Sequence, residues 1–157
     1  MKEFDINIPV REYAYDELAP ADRELTDRAW AMTHRSYAPY SRFHVGAAIR
    51  LADGTIVDGS NQENVAYPSG LCAERTAAFW AHANYPDRPF EAIAIAARGT
   101  DELAVETPVA PCGACRQVLL EYERLAGRGV RVLLCGRDRV YELPSVESTL
   151  PMAFIEF

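Results

Sequence analysis

CAERTAAFWAHAN, residues 72–84, carries the strongest structural signal in this chain. It is rich in alanine and other good helix formers, so we expect a helix over the whole stretch. An apolar run over residues 90–97 predicts a buried strand, and residues 112–126 predict a second helix that ends at a glycine pair. Residues 130–135 predict the next strand. This alternation of helices and strands favours a sheet whose strands are joined by helical crossovers.

The part of the chain before this stretch predicts a helix and a hairpin. Apolar residues recur at helical spacing over residues 22–37, and two short apolar runs, 43–51 and 55–57, flank the dipeptide Asp53-Gly54. An Asp-Gly step between such runs predicts a type I′ turn, in which both central residues have positive φ. With one more short strand at 140–143, we expect an α/β three-layer sandwich in which helices flank a mixed sheet of about five strands.

Length and charge limit the classes of function. The 157 residues are enough for one domain; residues 1–20 lack any sustained periodicity and are interpreted as an N-terminal arm, and residues 21–157 as a single domain. The 23 acidic against 16 basic residues give a net charge of −7, which argues against a nucleic-acid polymer as partner. No long apolar run or signal-like N-terminus is present, so we expect a cytoplasmic protein with no membrane partner.

Three of the four cysteines stand at predicted helix starts. Cys72 opens the first of the two central helices, and Cys112 and Cys115 open the second within PCGAC, residues 111–115. The unpaired N–H groups of a helix N-terminus favour the thiolate, which is the form that binds metal. Three thiolates would suit one Zn²⁺ ion per subunit with a fourth coordination position open. A closed four-thiolate zinc site that includes Cys135, and a redox-active CxxC pair, are the alternatives; a buried core position is the favoured interpretation of Cys135.

Two charged residues follow Cys72 directly. Glu74 is two positions from Cys72, which on an ideal helix is the wrong face, but in the first turn its side chain can reach forward to a metal site. There it could act as general base towards an attacking water and then as general acid. Arg75 is a candidate donor to a thiolate, because three thiolates leave a Zn²⁺ site with a net charge of −1. The plainer alternatives are that Glu74 is an ordinary first-turn acid that favours the helix dipole, and that Arg75 is a surface cation.

These residues form the pattern C-x-E…P-C-x-x-C, which is typical of zinc-dependent nucleobase deaminases. The chain is similar to the homotetrameric cytidine deaminases. The similarity rests on four segments in the same order and spacing: YAPYSRFHVGAA (37–48), SNQENVAYPSGLCAERTAA (60–78), PCGACRQV (111–118) and LPMAF (150–154). The resemblance implies a cytidine deaminase-like fold, zinc held by Cys72, Cys112 and Cys115, and Glu74 as the proton shuttle.

The resemblance also implies a set of substrate contacts. Asn61 and Glu63 would hold the ribose hydroxyls, Phe43 would pack on the pyrimidine, and the backbone of Ala73 would read the edge of the base. Because the family is tetrameric with active sites at subunit borders, Tyr67 and Phe154 are further candidates, near an adjacent site.

The predicted activity is the hydrolytic deamination of cytidine or 2′-deoxycytidine to the corresponding uridine, with release of ammonia, in pyrimidine salvage. The predicted substrate is a free pyrimidine nucleoside, and the predicted assembly is a homotetramer. One alternative is a deaminase of a blasticidin-type nucleoside antibiotic, which shares the CAE and PCxxC motifs. The other is a zinc-binding scaffold without catalytic activity.

Overall fold

A mixed sheet of six strands organises the computed structural model, which describes residues 1–155. Residues 156 and 157, the end of the predicted domain, lie outside the described residues. The strands are β1 (Arg11–Ala14), β2 (His44–Leu51), β3 (Ile56–Ser60), β4 (Phe90–Arg98), β5 (Arg131–Cys135) and β6 (Arg139–Leu143). The helices are α1 (Pro20–Thr33), α2 (Ala73–Asn84) and α3 (Gly113–Ala126), and the described residues also form single-turn 3₁₀ segments at Tyr15–Glu17, Tyr67–Ser69 and Glu147–Thr149.

The sheet order is β1-β6-β5-β4-β2-β3, and β4 and β5 form its parallel pair. Helix α3 makes the crossover between these two strands, as parallel neighbours require. Helix α1 packs through Leu25 and Ala29 on one face of the sheet, and α2 and α3 pack through Ala77 and Leu119 on the other. The predicted three-layer α/β sandwich with a mixed sheet is therefore confirmed.

The sixth strand comes from the segment interpreted as an arm. Residues 11–14 pair antiparallel with β6 at the edge of the sheet, with Tyr13 opposite Val140. Sequence patterning could not find this strand because three of its four residues are exposed and Tyr13 alone is partly buried. The division into an arm of residues 1–20 and a domain of residues 21–157 stays a prediction.

The turn between β2 and β3 corrects the predicted type I′ turn. Gly54 has a φ of +87°, but Asp53 is not among the described residues with positive φ. The backbone N–H of Gly54 donates to the Leu51 carbonyl, and that of Leu51 donates to Thr55. This is a three-residue loop, a type I turn followed by a left-handed glycine, which suits the twist of the strands equally well.

Helix α1 ends at Thr33, four residues before the predicted end, because the following segment pairs elsewhere. The backbone N–H of Tyr37 donates to the carbonyl of Asn61 at 2.9 Å, and that of Glu63 donates to Tyr37 at 2.8 Å. Residues 35–43 and 61–71 thus form two loops held together at one end of the sheet. None of the helices in residues 1–155 has both the length and the apolar character needed to cross a bilayer.

Charged residues from several elements meet where α1 begins. Asp22 accepts hydrogen bonds from Arg50 on β2 at 3.0 Å and from Arg131 on β5 at 2.8 Å. Arg131 also pairs with Glu142 on β6 at 3.3 Å. Burial opposes ionisation of Asp22, but the hydrogen bonds from both arginines outweigh it, so the pKa of this carboxyl is lowered. The cluster ties helix α1 to the middle of the sheet.

Candidate metal centre

The sulfur atoms of three cysteines meet where the N-termini of α2 and α3 approach each other. The Sγ atoms of Cys72 and Cys112 are 3.8 Å apart, and those of Cys112 and Cys115 are 3.5 Å apart. All three sulfurs lie within 4.8 Å of one another. Cys72 and Cys112 are the N-cap residues of their helices, with extended backbone, and Cys115 lies one turn further along α3. The structure therefore brings together the three cysteines that the sequence predicted.

The spacing of these sulfurs fits zinc. With Zn–S distances of about 2.3 Å, tetrahedral geometry requires sulfur–sulfur distances of about 3.8 Å. The observed separations of 3.5 and 3.8 Å are close to this value without any rearrangement of the chain. Cys115 is fully buried and Cys112 is exposed, so the cluster is anchored in the core and opens outward. Three thiolate ligands leave one position of a tetrahedral ion for a water molecule.

Contacts among the thiols favour ionisation of one of them. The hydrogen bond from the Cys115 thiol, followed by that from Arg75, lowers the pKa of Cys72 to about 5. The same contact with Cys72, together with burial, raises the pKa of Cys115. These contacts favour the thiolate form of Cys72, which is the form that a metal ion recruits.

Glu74 lies beside the sulfur cluster and is almost fully buried, with 4% of its surface exposed. Burial is the main cause that raises the pKa of its carboxyl to about 7, and the charge of Cys72 adds to the effect. The extended backbone of Cys72 explains how both residues reach one site. Because Cys72 is not part of the helix, the angle of an ideal helix does not separate it from Glu74.

Arg75 contacts the first of the three thiols. Its guanidinium donates to the Sγ of Cys72 at 3.7 Å, which agrees with the predicted contact to a thiolate. Its Nε atom is buried and has no hydrogen-bond partner among the described residues. A guanidinium aimed at the sulfurs offsets part of the negative charge that three thiolates would concentrate here.

A cavity of about 470 Å³ opens directly beside Cys72 and Arg75. Of the residues predicted to contact substrate, Asn61, Glu63 and Tyr67 line it. Phe43, Ala73 and Phe154 are not among the described residues that line this cavity. The lining also includes residues that the sequence did not single out: Tyr40, Ser41, Gln62, Asn64, Gly70 and Leu71.

The predicted ribose-binding pair is engaged with the neighbouring loop. The amide of Asn61 accepts a hydrogen bond from the backbone N–H of Val45 at 2.8 Å and donates to the carbonyl of Phe43 at 2.9 Å. The Glu63 carboxylate accepts from the backbone N–H groups of Tyr40 and Ser41 at 2.9 and 3.2 Å. Each side chain keeps an acceptor lone pair that could receive a sugar hydroxyl. Their role towards a sugar stays a prediction.

The other predicted residues surround the site at different depths. Ala73 is the first residue of α2 and fully buried, with a backbone N–H that has no partner inside the helix. Tyr67 is 74% exposed and packs edge-on against Tyr40, with ring centroids 5.8 Å apart. Phe154 is also exposed, and its carbonyl accepts a hydrogen bond from Gln117 of α3. Their predicted roles at an adjacent site stay predictions.

Cys135 lies elsewhere in the molecule. It is fully buried in β5 among the residues that pack under α1, on the opposite face of the sheet from α2 and α3. Burial raises the pKa of its thiol to about 12, which keeps it neutral. The prediction that Cys135 belongs to the core is confirmed, and a four-cysteine site that includes it does not form.

The fold and the site together define a class, the zinc-binding α/β proteins that hold their metal at the N-termini of two helices. Comparison with known families then identifies the family. The chain belongs to the family described as the cytidine and deoxycytidylate deaminase zinc-binding region, whose model matches residues 20–126.

Individual relatives agree with this assignment. The chain is 43% identical over 120 residues to a cytidine deaminase of Sporosarcina psychrophila, with 76% of this chain and 81% of the relative covered. Among solved structures, it is similar to a cytidine deaminase from Burkholderia pseudomallei at 41% identity and a TM-score of 0.71, covering 83% of this chain and 97% of the other. A cytidine deaminase from Mycobacterium tuberculosis matches at 32% identity and a TM-score of 0.67, covering 85% and 96%.

Proposed function

We propose that this protein catalyses the zinc-dependent hydrolytic deamination of cytidine and 2′-deoxycytidine to uridine and 2′-deoxyuridine. The observation that carries this proposal is the buried Glu74 carboxyl beside three clustered thiols, at the edge of a cavity. A hydrolytic deaminase needs a proton shuttle held next to the metal site, and this arrangement provides one. The names of the relatives, all cytidine deaminases in the cases described above, support the same reaction.

The reaction exchanges the 4-amino group of cytosine for oxygen. Cys72, Cys112 and Cys115 would hold zinc, which when bound would supply Lewis-acid activation of the water that attacks C4 of the ring. Glu74 accepts a proton from that water and passes it to N3, then delivers the second proton to the departing amine. One water is consumed, the C4–N bond breaks, and ammonia leaves. A carboxyl held beside the attacking water can serve first as base and then as acid.

For substrate recognition, we assign Asn61 and Glu63 to the ribose hydroxyls, Phe43 to the face of the pyrimidine and the backbone of Ala73 to its edge. The cavity position of Asn61 and Glu63 supports their assignment. A polar pair that hydrogen-bonds the sugar would discriminate against the free base, which offers it no hydroxyl groups. The ligand that we propose is a free nucleoside and not a polymer, consistent with the net charge of −7.

We also propose a homotetramer with active sites at its subunit borders. Large exposed aromatic side chains support it, since such residues favour protein–protein contacts, and two of them, Tyr40 and Tyr67, line the cavity. They include Tyr37, Tyr40, Tyr67, Phe79, Trp80 and Phe154, each at least 41% exposed. Tyr67 and Phe154 would then contribute to a neighbouring subunit's site.

A cytoplasmic role in pyrimidine salvage fits the four free cysteines, which a reducing compartment keeps available.

The decisive experiment is the variant Glu74→Gln, measured at full zinc content. The absorbance lost when cytosine becomes uracil reports turnover, with cytidine, deoxycytidine, cytosine, CMP and blasticidin S tested side by side. We expect turnover of both nucleosides by the wild-type protein and a loss of at least about 10²-fold in kcat in Glu74→Gln, as for other general acid–base groups. Glu121→Gln, the same change on the exposed side of α3, is the control and should keep the wild-type rate.

Each alternative has its own result in this experiment. Turnover of blasticidin S without turnover of cytidine would support the antibiotic deaminase. Zinc-replete protein that deaminates none of the five compounds would support the scaffold. A Glu74→Gln variant that keeps the wild-type kcat would remove Glu74 from the mechanism.

A further inference from the structure

The hydroxyl group of Ser41 makes two of the hydrogen bonds that hold the loop preceding β2. This hydroxyl donates a hydrogen bond to Oε1 of Glu63 and accepts one from the backbone N–H of Phe43 at 3.0 Å. It therefore joins the residue assigned to the sugar with the residue assigned to the base. Ser41 lies on the wall of the cavity, and it is not among the site residues that the sequence predicted.

The link continues on both sides of Ser41. The second oxygen of Glu63 accepts the backbone N–H groups of Tyr40 and Ser41, so all three donors to this carboxylate come from one turn. Desolvation opposes ionisation of Glu63, but the hydrogen bonds from Ser41 and Tyr40 outweigh it and lower the pKa. Glu63 is therefore an ionised acceptor at neutral pH. Charge-assisted hydrogen bonds of this kind are the stronger ones in proteins.

Both backbone polar groups of Phe43 are hydrogen-bonded. Its N–H donates to Ser41, and its carbonyl accepts from the side chain of Asn61 at 2.9 Å. Between Ser41 and Phe43, Arg42 has a φ of +54°, a left-handed conformation that is unfavourable for a residue other than glycine. Such a conformation persists only where the surrounding contacts impose it. The Ser41 hydrogen bonds span this residue and so hold the turn in its present shape.

We propose that Ser41 is a positioning residue that couples Glu63 to Phe43 and thereby makes the site select a nucleoside with intact sugar hydroxyls. The inference rests on the proposed cytidine deaminase activity. Ser41 itself needs no contact with the substrate. It orients the carboxylate that receives the sugar and, through the Phe43 backbone, sets the distance from the sugar to the ring that receives the base.

The test is the variant Ser41→Ala, compared with the wild type on cytidine and on 2′,3′-dideoxycytidine. Loss of a hydrogen bond to a charged group should raise the KM for cytidine by about tenfold, with kcat changed by less than about twofold. The dideoxy nucleoside lacks the hydroxyls that Glu63 would receive, so its kcat/KM should fall less. The preference for cytidine over the dideoxy nucleoside should therefore shrink by at least about threefold.

Two further variants separate positioning from general damage. Ser41→Thr keeps the hydroxyl and should restore most of the KM and the substrate preference. Ser69→Ala makes the same deletion in the facing loop, at a hydroxyl with no hydrogen-bond partner among the described residues, and should behave as wild type. Zinc content and thermal melting of all variants show whether each is folded.

The outcomes distinguish this inference from the proposed function. Wild-type protein that does not deaminate cytidine would overturn both. Wild-type turnover combined with an unchanged KM and unchanged substrate preference in Ser41→Ala would overturn the role of Ser41 alone. Equal losses on both substrates would also overturn it, because they would indicate a general structural defect.

Discussion

Gly59 allows helix α2 to lie directly on β3, and replacing it with alanine tests how the sheet positions the metal centre. A Cβ atom at this position would lie 2.5 Å from the backbone nitrogen of Ala77 and 2.6 Å from the carbonyl oxygen of Ala73. Both contacts are with the backbone of α2, so no side-chain rotation can relieve them. Ordinary contact begins at 3.4 Å, so α2 must move away by about 0.9 Å, the difference between 3.4 and 2.5 Å.

This displacement has consequences for both stability and chemistry. Overpacking of this kind costs about 1–3 kcal/mol, which for a domain of this size lowers the Tm by roughly 2–12 °C. Helix α2 carries Glu74 and begins just after Cys72, whereas Cys112 is the N-cap of α3 and Cys115 lies in its first turn. The sulfur atoms would therefore separate, and we expect zinc affinity to fall by roughly tenfold or more. A misplacement of about 1 Å can also reduce the rate by about 10²-fold.

Thermal melting and competition with a zinc-binding dye measure these effects. Gly113→Ala is the matched control, because it makes the same substitution between the two metal-ligand candidates of α3, where a Cβ meets nothing within 4 Å. Alanine in a helix should stabilise that variant by up to about 1 kcal/mol. A Gly59→Ala protein with wild-type melting temperature and zinc affinity would refute the reasoning, since it would mean that the helix–strand contact is not rigid.

Three further predictions concern the residues around the centre and the core. Arg75→Ala should weaken zinc binding and lower the rate, because the charge on Cys72 loses its guanidinium partner; unchanged values for both would show that Arg75 is only a surface cation. Asp22→Asn leaves Arg50 and Arg131 without their shared carboxylate and should lower the free energy of unfolding in urea by about 3 kcal/mol, near the lower end for a broken buried pair. Because the pKa of Asp22 is lowered in the folded state, its contribution is present above the ordinary carboxyl pKa and is lost as the pH falls through the lowered value. Wild-type stability should therefore decrease below about pH 4 more steeply than that of the variant. Cys135→Ala should keep one zinc per chain while lowering the Tm, and a loss of bound zinc would contradict the assignment of Cys135 to the core.

Much of the fold could be predicted because its elements differ clearly in periodicity and composition. The apolar run of residues 90–97 became β4, and the alanine-rich stretch after Cys72 became α2. Strand β1 could not be predicted, since an edge strand of four residues with one partly buried side chain has almost no pattern. The turn at Asp53-Gly54 was predicted in position but not in type, because the dipeptide suits both the two-residue and the three-residue loop.

The candidate site likewise has a part that the sequence predicts and a part that only the folded structure determines. Cys72, Glu74, Cys112 and Cys115 could be found from the chain alone, because metal ligands and a proton shuttle require particular residue types at short, regular spacings. The distances among the sulfurs, the burial that raises the pKa of Glu74, and the hydrogen bonds of Ser41 to Glu63 and Phe43 are properties of the folded chain. The approach of Cys72 to Cys112 and that of Ser41 to Glu63 depend on contacts between residues 40 and 22 positions apart. Local sequence specifies which groups are available and which helices present them, but the approach of α2 to α3 and of one loop to another is set by packing across the sheet, which no local pattern encodes.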